Sequence, residues 1–217
     1  MSTEGKVRHP LEQLAHDVRN SAGLVTGALA ELRVGLGEAA EEHELFLRIA
    51  SRGVRQLLVL ADRCAVEGEH ARAGVPSDVT GADLEAALRT AIDQAHEAFG
   101  KKSLKVELVP AGEPLRLRGS PRWISVVLTE SVLLTLKGAS KVAKVTVLTD
   151  GENATIALEN DGTRPAVDDD SPEGRAFHLV AFTLEAMGGH VTTSPKSFRL
   201  LLTLPLILTE TADPGAA

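Results

Sequence analysis

The sequence predicts an α+β chain, a helical hairpin followed by an α/β sandwich with helices stacked on one face of a mixed sheet. Two observations predict the order. Apolar residues recur at three- and four-residue intervals from Leu11 to Cys64, with Gly35-Leu36-Gly37 as the break. After Gly68–Val79, where Gly, Pro and charge interrupt that pattern, helical stretches alternate with short period-two runs. The divisions expected are a hairpin domain over 1–68, a linker over 69–79, the sandwich over 80–208 and a frayed tail over 209–217.

The first helix is expected over Pro10–Val34. Pro10 suits a first helical position, where its missing N–H leaves nothing unpaired. Leu11, Leu14, Val18, Ser21, Val25, Ala28 and Leu32 follow the a/d spacing of a bundle seam. A second helix is expected over Glu38–Glu67, with Phe46, Ile49, Gly53, Leu57, Leu60 and Cys64 as its seam. A short glycine-containing turn makes the pair antiparallel. Leu45, Leu47, Leu58 and Val59 widen the apolar face beyond what two helices can bury against each other. A second copy of the hairpin would cover it in a four-helix bundle, so a homodimer is expected. Cover by the second domain is the other solution.

The second part opens with Thr80-Gly81-Ala82-Asp83, a variant capping box, and a helix to Phe99 that Gly100 stops. Leu104–Val109 alternates like a strand, and Leu115–Arg118 reads as a short one. Ser120-Pro121 opens another helix, with Ser120 as N-cap, running to about Leu136. Lys144–Thr149 and Ala154–Glu159 read as a hairpin around Asp150-Gly151. A polar loop over Asn160–Glu173 leads to a helix over Gly174–Met187, which Gly188-Gly189 ends. HVTTS and SFRLLLTLP supply the last two strands.

Composition narrows the function. The chain has 217 residues, 43% hydrophobic and 24% charged, enough to bury a core. Five Phe, one Trp and no Tyr make that core aliphatic. A net charge of −7 without a Lys/Arg run argues against nucleic acid as partner. One cysteine, Cys64, excludes an internal disulfide and a cysteine zinc site. No secretory signal or membrane-spanning run is visible, so a cytoplasmic location is expected.

The chemistry points to Leu14-Ala15-His16-Asp17-Val18-Arg19-Asn20. With Leu14 at d and Val18 at a, His16 falls at the outward f position. Asn20 lies one turn along the same face, and Asp17 is adjacent at g. At neutral pH an exposed imidazole carries a free ring nitrogen, and a neighbouring carboxylate can hold the other as N–H. A phosphoryl-accepting histidine needs both. Gly23 and Gly27 keep the same face flat for a partner. Seven histidines occur in the chain, and position by itself does not separate His16 from the rest.

The string His16-Asp17-x-Arg19-Asn20, the hairpin and the α/β order together resemble the histidine kinase core of two-component signalling, over roughly Leu11–Leu206. Ser21 stands where that family usually has Pro. The resemblance implies that His16 is phosphorylated, that Asp17 orients it and assists proton transfer, and that Asn20 sits near the partner's phosphoryl group. RQLLVLADRCAVEG resembles the end of the family's second dimerisation helix. The second part resembles the family's ATP-binding domain, a Bergerat (HATPase-like) sandwich, with departures from its motifs. The position of the family's Mg²⁺-binding Asn falls on Leu134, which offers no oxygen. Glu130, at the other such position, is expected to be solvated. Asn160 stands for the adenine-reading Asp, Arg164 for a glycine, and Ala176 for another in the turn Gly174–Phe177. The lid is reduced to Asp168-Asp169-Asp170, a solvated loop that would repel a triphosphate.

A kept phosphoacceptor motif beside a lost ATP site resembles the ChpT-type dimeric histidine phosphotransferases. That resemblance implies an ATP-independent relay through His16 between response-regulator receiver domains, with no cofactor or metal of its own. The alternatives are a sensor-type histidine kinase with an unusual ATP pocket, and a non-catalytic scaffold or phosphatase that binds response regulators.

Overall fold

The structure is a computed structural model and describes residues 9–73, 81–99, 104–162, 171–194 and 198–207. Helix α1 spans Pro10–Leu36. His9 caps it, its Nδ1 accepting from the Leu11 N–H, with Pro10 in the first turn. Gly37 ends it at φ +53, a conformation open to glycine, and its N–H donates to the Val34 carbonyl. A short 3₁₀ turn, Gly37–Ala39, leads into α2, Ala40–Ala73. This helix continues past the expected end at Glu67 into the stretch expected as linker. Gly68 is therefore not a breaker. A Cβ there would stand 2.9 Å from Glu12 Cγ and 3.0 Å from the Glu12 nitrogen, so its absence lets α2 close on the first turn of α1.

The hairpin buries a stripe that keeps Val18 and Cys64 of the expected seam but turns most of its large residues outward. Ala15, Ala22, Leu47, Val54, Ala61 and Ala65 are the buried apolar side chains of α1 and α2 outside the sandwich core. Small residues let the two helices approach closely, and Ala15, Ala61 and Ala65 form one cluster with Val18 and Cys64. Arg19 braces the pair, donating to Asp62 Oδ1 from Nε at 3.1 Å and Nη2 at 2.6 Å. The expected seam residues Leu14, Val25, Leu32, Phe46, Ile49, Leu57 and Leu60 lie outward, between 46% and 68% exposed.

The second part follows the expected order closely. It comprises β1 (Ala82–Asp83), α3 (Leu84–Phe99), β2 (Lys105–Val109), β3 (Arg116–Leu117), α4 (Pro121–Gly138), β4 (Val142–Thr149), β5 (Asn153–Asn160), α5 (Pro172–Ala186), β6 (His190–Thr193) and β7 (Arg199–Pro205). Thr80, Gly100, Arg164, the triplet Asp168–Asp170 and the tail from 208 lie outside the described residues. The five-stranded sheet has the order β2-β4-β5-β7-β6. Its β2–β4 pair is parallel and the others antiparallel, so the sheet is mixed. β1 and β3 form a separate two-residue ribbon. Asp83 caps α3 by accepting from the Ala86 N–H at 2.7 Å. Ser120 stands at the N-cap of α4, but its hydroxyl makes no capping bond. The Asp150-Gly151 turn closes β4 on β5, with Gly151 at φ +96 and Asp150 Oδ1 accepting from the N–H groups of Glu152 and Asn153. α4 is the central helix: twelve of its eighteen residues are buried, among them Trp123, Ile124, Leu128 and Leu136. They share one aliphatic core with Leu84 and Leu88 of α3, Leu184 of α5 and the inner face of the sheet. Val66 of α2 belongs to that same core.

Candidate functional site

The long, regular α1 presents His16 on a face that neither α2 nor the sandwich covers. Its side chain is 47% exposed and that of Asp17 is 62% exposed. His16 Nδ1 lies 3.2 Å from Asp17 Oδ1 and 3.3 Å from Asn20 Nδ2. Gln13 Nε2, one turn before, donates to the same Asp17 oxygen at 3.0 Å. The three expected site residues are thus brought together around one ring nitrogen. A single Nδ1 cannot serve both neighbours in the same way. As N–H it donates to Asp17 and leaves the Nε2 lone pair free. As an acceptor from the Asn20 amide it places the ring proton on Nε2, which is then no nucleophile. Asp17 and Asn20 therefore favour opposite tautomers. Gly23 and Gly27 follow on this face, and a Cβ at either would meet nothing within 4 Å, so both leave open surface.

The residues of the second part that the resemblance sets against nucleotide-binding positions are engaged in the fold. Leu134 is 3% exposed and part of the central core. Asn160 donates from Nδ2 to the Thr135 carbonyl at 2.9 Å and accepts the Gly162 N–H on Oδ1 at 3.0 Å, pinning the end of β5 to α4. Gly162 sits so close that a Cβ would fall 1.9 Å from the Gly138 carbonyl oxygen. Asp161 caps the other side, accepting the N–H groups of Ser140 and Lys141, and these bonds hold its carboxyl below the usual range. Ala176 is buried in α5, and Ser171 Oγ caps that helix by accepting the Gly174 N–H. Lys137 donates to Glu173 at 2.6 Å, and that bond lowers the Glu173 pKa. These residues do not fit a Mg²⁺–nucleotide: one has no ligand atom, and the amide of another is taken up by backbone.

Glu130 corrects the expectation of a solvated side chain. It is 1% exposed and paired through both carboxylate oxygens with Arg63 of α2. Its place on the buried side follows from α2 crossing α4 there, and no feature of the local sequence marks that crossing. Sequence reasoning also missed Glu69, which accepts from Arg122 Nη1 and Trp123 Nε1, both at 2.6 Å. Glu69 lies in the stretch expected as linker. The signal for it was the 3-4 apolar and polar spacing that carries on past Glu67 through Glu69 and His70. Among the described residues no group of three His, Cys, Asp or Glu side chains could hold a metal ion. No helix among them is long and apolar enough to cross a membrane.

No protein-family model matches the sequence, and no curated protein matches it. Similarity appears among solved structures. Full-length ShkA in complex with AMPPNP has a TM-score of 0.60 at 15% identity, over 94% of this chain and 47% of that one. This chain therefore spans about half the length of ShkA. The Acinetobacter baumannii histidine kinase AdeS has a TM-score of 0.53 at 16% identity, over 89% of this chain and 98% of that one. The nucleotide-free catalytic domain of the histidine kinase ThkA gives 0.51 at 15% identity, over 61% of this chain and 98% of that one. At such identities the likeness is one of fold, and the fold of this chain is that of a histidine kinase core, a helical hairpin followed by a HATPase-like sandwich.

Proposed function

We propose that this chain is a histidine phosphotransferase, relaying phosphoryl groups between receiver domains of response regulators through His16 and without ATP. The observation that carries the reading is the contrast between two sites. His16 stands exposed with a carboxylate and an amide on its Nδ1, whereas Leu134 is buried in the core and the amide of half-buried Asn160 is taken up by backbone.

In the proposed step His16 is neutral, with Nδ1–H donating to Asp17. The Nε2 lone pair attacks the phosphorus of an aspartyl phosphate on the donor receiver. The N–P bond forms as the P–O bond to the aspartate breaks, and the aspartate leaves as a carboxylate. The ring gains positive charge, which the Asp17 carboxylate 3.2 Å from Nδ1 stabilises. Transfer to the acceptor receiver is the reverse. A metal ion held by the receiver would balance charge on the moving group. The outward stripe of Leu14, Val25, Leu32, Phe46, Ile49, Leu57 and Leu60 supports a homodimer through the two hairpins.

The test is incubation with receivers charged by acetyl phosphate and, separately, with Mg²⁺–ATP. Acid-labile phosphate on His16 from the receiver and none from ATP is the expected result. Labelling from ATP would establish a kinase instead. No labelling from either source would leave a non-catalytic binding role.

A further inference from the structure

One face of α2 is committed to the sandwich. Arg63 forks onto Glu130 of α4. Val66, one turn on, is fully buried in the sandwich core. Glu69 takes hydrogen bonds from Arg122 and from the Trp123 indole. The His70 ring lies 4.0 Å from the Trp123 ring and 4.5 Å from that of Phe182, with Nε2 3.4 Å from Thr183 Oγ1. Two turns before Arg63, Gln56 Nε2 donates to the Ala98 carbonyl at 3.0 Å and Arg55 pairs with Glu97 at 2.8 Å. The stripe therefore follows helical spacing and meets α3, α4 and α5.

We propose that this stripe is a latch that locks the sandwich onto the hairpin as one body, so that the second domain is a fixed wall and not a mobile carrier. The latch stands on these contacts alone. Its consequence rests on the relay reading: a sandwich that never swings leaves His16 open to an incoming receiver at all times. The physical ground is Glu130. Its carboxylate is inside the interface, and Arg63 is the cation that neutralises it there. Sliding or lifting the sandwich separates that pair, breaks both bonds on Glu69 and bares Val66 and Trp123 together. These losses occur at once, because Arg63, Val66 and Glu69 lie on one rigid helix and Trp123 and Glu130 on another.

The chain carries its own reporter, since Trp123 is its single tryptophan and is fully buried at the latch. In the full chain the indole is expected to emit at short wavelength and to resist acrylamide. Arg63→Ala strands the Glu130 charge, and the nearest relief is for the interface to open and let water in. Emission should then move to longer wavelength and acrylamide quenching should rise several-fold, while helical circular dichroism and a cooperative melt persist. Arg63→Ala with Glu130→Ala strands no charge and should return both readings toward the wild type. A freely quenched wild-type indole would overturn the latch, as would an Arg63→Ala chain with wild-type emission and quenching. If Arg63→Ala loses its cooperative melt, Glu69→Ala removes two latch bonds near the surface and should show the same shift; no shift there also overturns the proposal. None of these readings depends on phosphate transfer, so failure of the latch and failure of the relay are separately visible.

Discussion

His16 is exposed because its neighbour Ala15 takes up the packing, fully buried against α2, and leaves His16 and Asp17 on the solvent side. Removing the ring therefore disturbs little. His16→Ala should abolish labelling from a phosphorylated receiver while helical circular dichroism is unchanged, and labelling that survives would overturn the assignment. Asp17→Asn keeps size and removes charge, so single-turnover transfer should slow by about 10²–10⁴-fold without stopping. Asn20 favours the His16 tautomer with its proton on Nε2 and lies on the same open face. Asn20→Ala is expected to lengthen the lifetime of the receiver's phosphate while transfer to His16 continues; a parallel fall of both rates would place Asn20 in docking alone. His70 gives a pH dependence with a defined sign. Burial lowers its pKa below the ordinary 6.5, against the opposing charge of Glu69. The folded state therefore binds fewer protons than the unfolded one, and stability is complete above about pH 6.5 and falls as pH drops below it. His70→Gln should flatten the melting temperature between about pH 7 and pH 5.5 relative to wild type.

At the scale of elements, α2 presents three faces. One packs on α1 through Leu47, Val54, Ala61 and Ala65, one meets the sandwich through Arg63, Val66 and His70, and one shows Phe46, Ile49, Leu57 and Leu60 to the outside. A helix apolar on so many sides needs partners on each. Leu57 is 49% exposed in a single chain, so a charge there is harmless unless a second copy covers it. Leu57→Asp should leave the hairpin helical and shift light scattering from dimer to monomer. An unchanged mass would show that this face is not the dimer seam. In α4, Leu134 is a core residue. Leu134→Asn should lower stability by about 2–5 kcal/mol in urea unfolding, and should create no Mg²⁺–nucleotide binding, because the new amide would be buried without a partner.

For the molecule as a whole, the expected mass in solution is about twice the 22.9 kDa of the chain. Calorimetry with Mg²⁺–ATP should give no heat up to about millimolar, a binding free energy near −4 kcal/mol. Tight binding would return the molecule to the kinase reading that its fold permits. The fold alone does not choose between these, since one architecture serves many activities and the site decides.

Local patterns in the sequence reveal most of the elements and their order, though neither the two-residue β1 nor the 3₁₀ turn after α1. Periodicity placed both hairpin helices, the Asp150-Gly151 turn placed the β4–β5 pair, and Ser120-Pro121 placed the start of α4, because each signal is local. It also placed His16, Asp17 and Asn20 on one face, since residues within one helical turn share a fixed geometry. Which apolar stripe each helix buries depends on the assembled fold. The a/d spacing of Leu14, Val25 and Leu57 names a face but not its neighbour, and the small residues Ala15, Ala22 and Ala61 won the inner position because they let the backbones come closer. The tertiary structure likewise made Glu130 a buried ion pair and extended α2 through Gly68 and Glu69. Those outcomes depend on helices more than fifty residues apart in the chain meeting in space, and no local pattern encodes such a meeting.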